Sequence, residues 1–102
     1  MAIRRVPTLS GKETLILELL RDGQPMYGLQ LVAASRGRLK RGTIYVTLGR
    51  MEEKGLVLSR LENAPAEAGG LPRRLYEPTS LGRRVLDAWT HAALRFSPGF
   101  AR

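Results

Sequence analysis

The sequence predicts a small, mostly helical α+β domain: three helices, a β-hairpin and a closing helix. Three observations carry that expectation. Apolar residues recur at helical spacing in four separate stretches, and Gly23 and Gly55 stand where two of those stretches end. Between residues 56 and 77 the pattern changes to two extended runs divided by turn-forming residues. At 102 residues the chain has length for one domain and buries only about two-thirds of its unfolded surface, so association would add apolar burial that one copy lacks.

Taken in order, Ser10 and Glu13 have the S-x-x-E spacing of a capping box, and Leu15, Ile16, Leu19 and Leu20 follow on one helical face up to Asp22-Gly23. After Gln24-Pro25, with Pro25 suited to a first helical position, a second helix is expected over about 26–35, facing inward with Leu29, Val32 and Ala33 and broken by Gly37. Arg38-Leu39-Lys40-Arg41 is a short basic connection with Leu39 as its apolar anchor. A third helix is expected over about 43–54, with Ile44, Leu48 and Met51 inward. Leu56–Glu62 and Arg73–Glu77 read as strands, and the long, Gly-, Ala- and Pro-rich connection between them excludes a two-residue hairpin turn. Thr79 or Ser80 caps a last helix that runs to about residue 95. Three helices followed by a β-hairpin is the layout of a winged helix-turn-helix. The expected division is a core over 9–79, a dimerisation helix over 80–96 and a tail over 97–102.

The charge narrows the function. The chain has 17 Lys and Arg against 9 Asp and Glu, a formal net charge of +8, which favours a polyanionic partner. Five cations and no acid fall between Arg36 and Arg50, immediately before and within helix three. There are no cysteines, so disulfides, thiolate metal sites and cysteine nucleophiles are excluded. His91 is the one histidine, and neither paired carboxylates nor a Gly-rich phosphate loop is present, so no enzyme, metal or cofactor is expected. Neither a signal-like apolar run nor a membrane-length one occurs, and the expected location is cytoplasmic.

A helix that enters the major groove should offer hydrogen-bonding and cationic side chains outward. Helix three does so with Thr43, Tyr45, Val46, Thr47 and Arg50, while Glu52 and Glu53 lie in its C-terminal half. Lys40 and Arg41 lead into it with no evident structural task. Thr43 could equally cap the helix, Arg50 could pair with Glu53, and Tyr45 could pack half-buried.

Residues 42–57, GTIYVTLGRMEEKGLV, resemble the G-T-[LI]-Y-x-x-L-x-R-[LM]-E-x-x-G-[LY]-[IV] stretch of PadR-like transcriptional regulators. Pro25–Leu31 is similar to the P-x-Y-G-[YL]-[EQ]-[LI] segment of that family, and Leu71–Thr79 to its wing strand, followed by Gly82 in a T-x-x-G helix start. The resemblance covers about residues 9–95, three motifs in register. It implies a homodimer on a palindromic double-stranded DNA operator, with helix three in the major groove and the wing at the neighbouring backbone or minor groove. Tyr27, Thr43, Tyr45, Thr47, Arg50, Arg73 and Arg74 fall where such proteins contact DNA. Val46 stands where the family commonly has Pro, Gly49 lies within the helix, and the wing carries Glu67 and a Gly-Gly tip.

On the last helix, Leu81, Val85, Leu86, Trp89, Ala92, Ala93 and Phe96 form a broad apolar stripe, more than three short helices and a hairpin need, and so an expected dimer interface. The alternative is that this helix folds back on its own core. The resemblance implies the family's short type, in some of which a Trp on the last helix lines an interface cavity for flat aromatic compounds. Trp89 is the matching residue, with ordinary interface packing as the alternative. The function expected is sequence-specific binding as a homodimeric regulator, a repressor by default. The competing functions are a winged-helix protein-interaction module and a non-specific DNA-binding protein.

Overall fold

The computed structural model describes residues 8–63, 69 and 72–96. In chain order the elements are α1 (Gly11–Leu20), β1 (Met26–Tyr27), α2 (Gly28–Ala34), α3 (Ile44–Glu53), β2 (Val57–Asn63), β3 (Pro72–Pro78) and α4 (Ser80–Phe96). The strands form one antiparallel sheet in the order β1-β3-β2. Its register places Ser59 and Met26 on either side of Tyr76, and Arg60 and Tyr27 on either side of Leu75.

The capping box forms. The Ser10 amide donates to Glu13 Oε1 at 2.9 Å and the Glu13 amide to Ser10 Oγ at 3.2 Å, so two otherwise orphaned N–H groups are satisfied. Gly23 and Gly55, at φ 93° and 77°, end α1 and α3 in the left-handed region, as their spacing predicted. Leu17, outside the predicted face of α1, is fully buried, and Leu19 only partly so.

The second helix departs from expectation. Met26 and Tyr27 are not its first turn but a two-residue strand against β3. The helix starts at Gly28, its buried residues are Gly28 and Leu31, and of the expected inward face only Val32 packs against the core. Leu29 is exposed, Val32 half-buried and Ala33 exposed. Sheet pairing outweighed the helix signal of Pro25, and the later start turned a different face inward.

The core lies between the helices and the sheet, with Ile16, Leu20, Leu31, Leu48, Met51 and Leu56 each at most 1% exposed. Val85 and Leu86, expected at a dimer interface, are 3% and 2% exposed within this one chain and belong to the same core. The first half of α4 therefore folds back, and Leu81 packs against it partly buried. Ala93 and Phe96 lie outside the residues whose side chains are described, as do the 97–102 tail and most of the hairpin tip.

Thr79 begins α4. Its amide donates to the Leu56 carbonyl at 3.0 Å, its hydroxyl donates to the Gly55 carbonyl, and Thr79 Oγ1 accepts from the Gly82 amide at 2.9 Å. A Cβ at Gly82 would lie 2.1 Å from the Leu56 carbonyl oxygen, so only glycine permits this approach.

Candidate nucleic-acid interface

The basic approach to α3 is built on Ser35. Its side chain is buried, donating to the Val32 carbonyl at 2.7 Å and accepting from the Leu39 amide at 2.9 Å. Arg36 and Gly37, at φ 54° and 89°, turn the chain through two successive left-handed residues. Leu39 is thereby seated in the core, and Arg36, Arg38, Lys40 and Arg41 are all exposed. A positive φ at Arg36 is a strain of about 1–2 kcal/mol for a residue other than glycine. One buried leucine turns four cations outward.

α3 is then seated by Ile44, Leu48 and Met51, as its spacing predicted. Thr43 occupies its N-cap position, but its side chain makes no capping hydrogen bond. Thr43, Tyr45, Val46 and Arg50 are exposed and Thr47 is half-buried. The Thr47 hydroxyl donates to the Thr43 carbonyl at 3.2 Å, so what it offers outward is its capacity to accept. Arg50 makes no ion pair among the described residues, and the Glu53 partnership does not form. Glu52 instead accepts from Ser59 Oγ at 2.8 Å, and Ser59 Oγ accepts from Arg74 Nη1 at 3.0 Å, linking the far end of α3 to the sheet.

The same end of α3 is tied separately to the start of α1. Lys54 Nζ lies 2.9 and 3.0 Å from the two oxygens of Glu13, whose side chain is only 6% exposed, and it also donates to the Thr8 carbonyl at 3.3 Å. A buried carboxylate is costly unless paired, so this contact fixes α3 against α1.

On the wing, the Arg73 guanidinium lies 4.1 Å above the centroid of the Tyr27 ring, within cation–π range. The Tyr27 hydroxyl donates to Glu62. That hydrogen bond, more than any other influence, raises the Tyr27 hydroxyl above the ordinary tyrosine range, while the Arg73 charge opposes it. Tyr27, Leu29, Tyr45, Leu61, Arg73 and Arg74 line a groove of about 520 Å³ between α2, α3 and the wing. Among the described residues no group of three or more His, Asp or Glu side chains converges to hold a metal ion. None of their helices is long and apolar enough to cross a membrane.

The sequence profile of the PadR-like family of transcriptional regulators matches residues 16–88. Among solved structures, a PadR family transcription regulator from Clostridium difficile is 30% identical, with a TM-score of 0.70, over 85% of this chain and 90% of that one. The chain belongs to the PadR-like family of transcriptional regulators. A family member from Eggerthella lenta is also 30% identical, with a TM-score of 0.71, over 87% of this chain and 77% of that one. Bacillus subtilis PadR, solved in complex with operator DNA, is 21% identical, with a TM-score of 0.68 over 76% of this chain and 45% of its own, and shares the fold. No protein of curated function matches the chain.

The geometry explains several PadR-like motif residues. The glycine of the P-x-Y-G segment, Gly28, leaves the Tyr45 ring its place: a Cβ there would lie 2.6 Å from that ring and push it aside. Its neighbour Tyr27 joins α2 to the wing through β1, Arg73 and Glu62. The structure thus brings Tyr27, Tyr45, Arg73 and Arg74 together along one groove, and Thr43, Thr47 and Arg50 along another beside α1. Lys40 and Arg41 lie on the approach to α3. Sequence reasoning missed Glu62, Ser59 and the Glu13–Lys54 pair, because each depends on a partner distant in the chain. The alternation of the 57–63 run could have placed Glu62; nothing in the sequence pairs Glu13 with Lys54.

Proposed function

We propose that this PadR-like regulator binds double-stranded DNA sequence-specifically as a homodimer and acts as a repressor. The carrying observation is the outward face of α3, which offers Thr43, Tyr45, Thr47 and Arg50 for base contact behind the exposed cations Lys40 and Arg41. Phosphate contact by such cations supplies affinity and register, and side chains in the major groove supply sequence discrimination. Arg73 and Arg74 are exposed on the wing strand, where they suit the neighbouring backbone. Tyr27 acts in this reading by holding Arg73.

The dimer proposal narrows to the outer part of α4. Val85 and Leu86 are spent on the chain's own core and Leu81 packs against it, which leaves half-buried Ala92 and Trp89, 38% exposed, to meet a symmetry mate. Two copies would present two recognition helices to a palindrome with half-sites about one helical turn apart. A flat aromatic ligand stacked on Trp89 at that interface is the proposed route of relief. Trp89 is the chain's one tryptophan, so its fluorescence would report such a ligand directly.

The test is selection from a random duplex pool, then footprinting and a salt titration of the selected site. A protected palindrome, bound far more tightly than random duplex and weakening steeply between about 50 and 200 mM salt, supports the reading. Equal binding to selected and random duplexes would leave a non-specific DNA-binding protein, and no duplex binding would remove the reading altogether.

A further inference from the structure

The geometry points to Val46 as a reader of the thymine methyl group in the bound duplex, an inference that rests on the DNA-binding reading above. Thr43, Val46, Thr47 and Arg50 follow one another at i, i+3, i+4 and i+7 and share one face of α3. On that face Val46 is the apolar member, and at 57% exposed it contributes nothing to the core. It lines a groove of about 500 Å³ between α3 and the start of α1, where Lys12 and Arg50 supply cations beside the Glu13–Lys54 pair. Those charges suit a polyanion. The occupant to which this apolar side chain is fitted must therefore be both polyanionic and locally apolar.

Duplex DNA offers such a combination in the major groove, where thymine presents its methyl group beside its O4 acceptor. A valine suits the task because its β-branch leaves essentially one rotamer in a helix, so its methyls are presented in a fixed place. Its neighbour Thr47 complements it. With its hydrogen committed to the Thr43 carbonyl, the Thr47 hydroxyl can only accept, and the adenine of an A·T pair supplies an amino donor in the same groove. Cytosine presents an amino donor there too, so the preference for an A·T pair opposite the middle of this face rests on Val46 and the thymine methyl.

The experiment replaces each thymine of a selected duplex, one at a time, by deoxyuridine, which lacks the methyl and keeps the pairing. The wild-type protein is expected to lose about fourfold in affinity at one thymine per half-site, the worth of burying one carbon. Val46→Ala should bind the thymine and uridine duplexes alike, with an unchanged salt slope, and Val46→Thr, which keeps one methyl, should fall between. Because Val46 is exposed, both variants are expected to show the wild-type circular dichroism spectrum. Wild-type affinity indifferent to every uridine, or an undiminished thymine preference in Val46→Ala, overturns the assignment while leaving DNA binding intact. Failure of the wild-type protein to bind any duplex overturns both.

Discussion

α3 and the wing are held by different physics. α3 rests on Ile44, Leu48 and Met51, each at most 1% exposed, and its far end is pinned by the pairing of Lys54 with a buried carboxylate. The outer wing has no such seat. Leu61, Glu62, Asn63, Arg73 and Arg74 are all exposed, and beyond the β2–β3 ladder what positions their side chains is a ring stacked under a guanidinium, one phenolic hydrogen bond and the Ser59 bridge. Burial is non-directional and is not screened by salt, whereas exposed polar contacts compete with water and ions. The exposed side chains of α3 thus stand on a buried seat, whereas those of the outer wing are held partly by contacts that solvent and salt can adjust.

The contrast predicts a graded set of effects. Leu48→Ala removes the centre of the α3 seat and should cost about 2–5 kcal/mol, read as a lower denaturation midpoint in urea, with affinity lost only as folded protein is lost. Lys54→Ala leaves the Glu13 carboxylate buried without its cation. Since the lysine side chain is 41% exposed and water can replace it in part, about 1–2 kcal/mol is expected, read as a lower urea midpoint. Gly28→Ala drives against the outer end of the Tyr45 side chain, which can swing away, so stability should change by under about 1 kcal/mol while duplex affinity falls several-fold. Equal losses of stability and affinity there would show that Tyr45 is held as firmly as the core. Tyr27→Phe, the mildest, removes the bond to Glu62 and keeps the ring beneath Arg73. Affinity should change about twofold at most, and the wild-type and variant proteins should converge at high salt, where exposed charges are screened.

Much of this was legible in the sequence where the signal was local. Ser10 and Glu13 lie three residues apart and form their box; Ile44, Leu48 and Met51 needed only the helical period; Gly23 and Gly55 marked helix ends because a left-handed residue there favours glycine. The misreadings share one cause. Met26 and Tyr27 are a strand only because Tyr76 and Leu75 lie opposite them, and a two-residue strand leaves no periodicity to detect. That error shifted the start of α2 and exchanged Leu29 for Leu31 as its buried leucine. Val85 and Leu86 were correctly read as apolar and wrongly assigned to a partner, since a stripe on a helix says that it will be covered without saying by which chain. At the candidate interface, residue types on α3 were readable from position, whereas the coupling of Tyr27 to Glu62 and Arg73 required the wing to be folded first.

The junction at Thr79 has a mechanical consequence. One threonine ties the first turn of α4 to the carbonyls of Gly55 and Leu56, immediately beyond the end of α3, and Gly82 lets the two backbones touch. No slack linker separates the helix proposed for pairing from the helix proposed for reading. In the proposed dimer α4 would therefore work as a crank: whatever alters its tilt at the twofold axis, a flat ligand beside Trp89 included, turns both reading heads together and changes the span they can bridge.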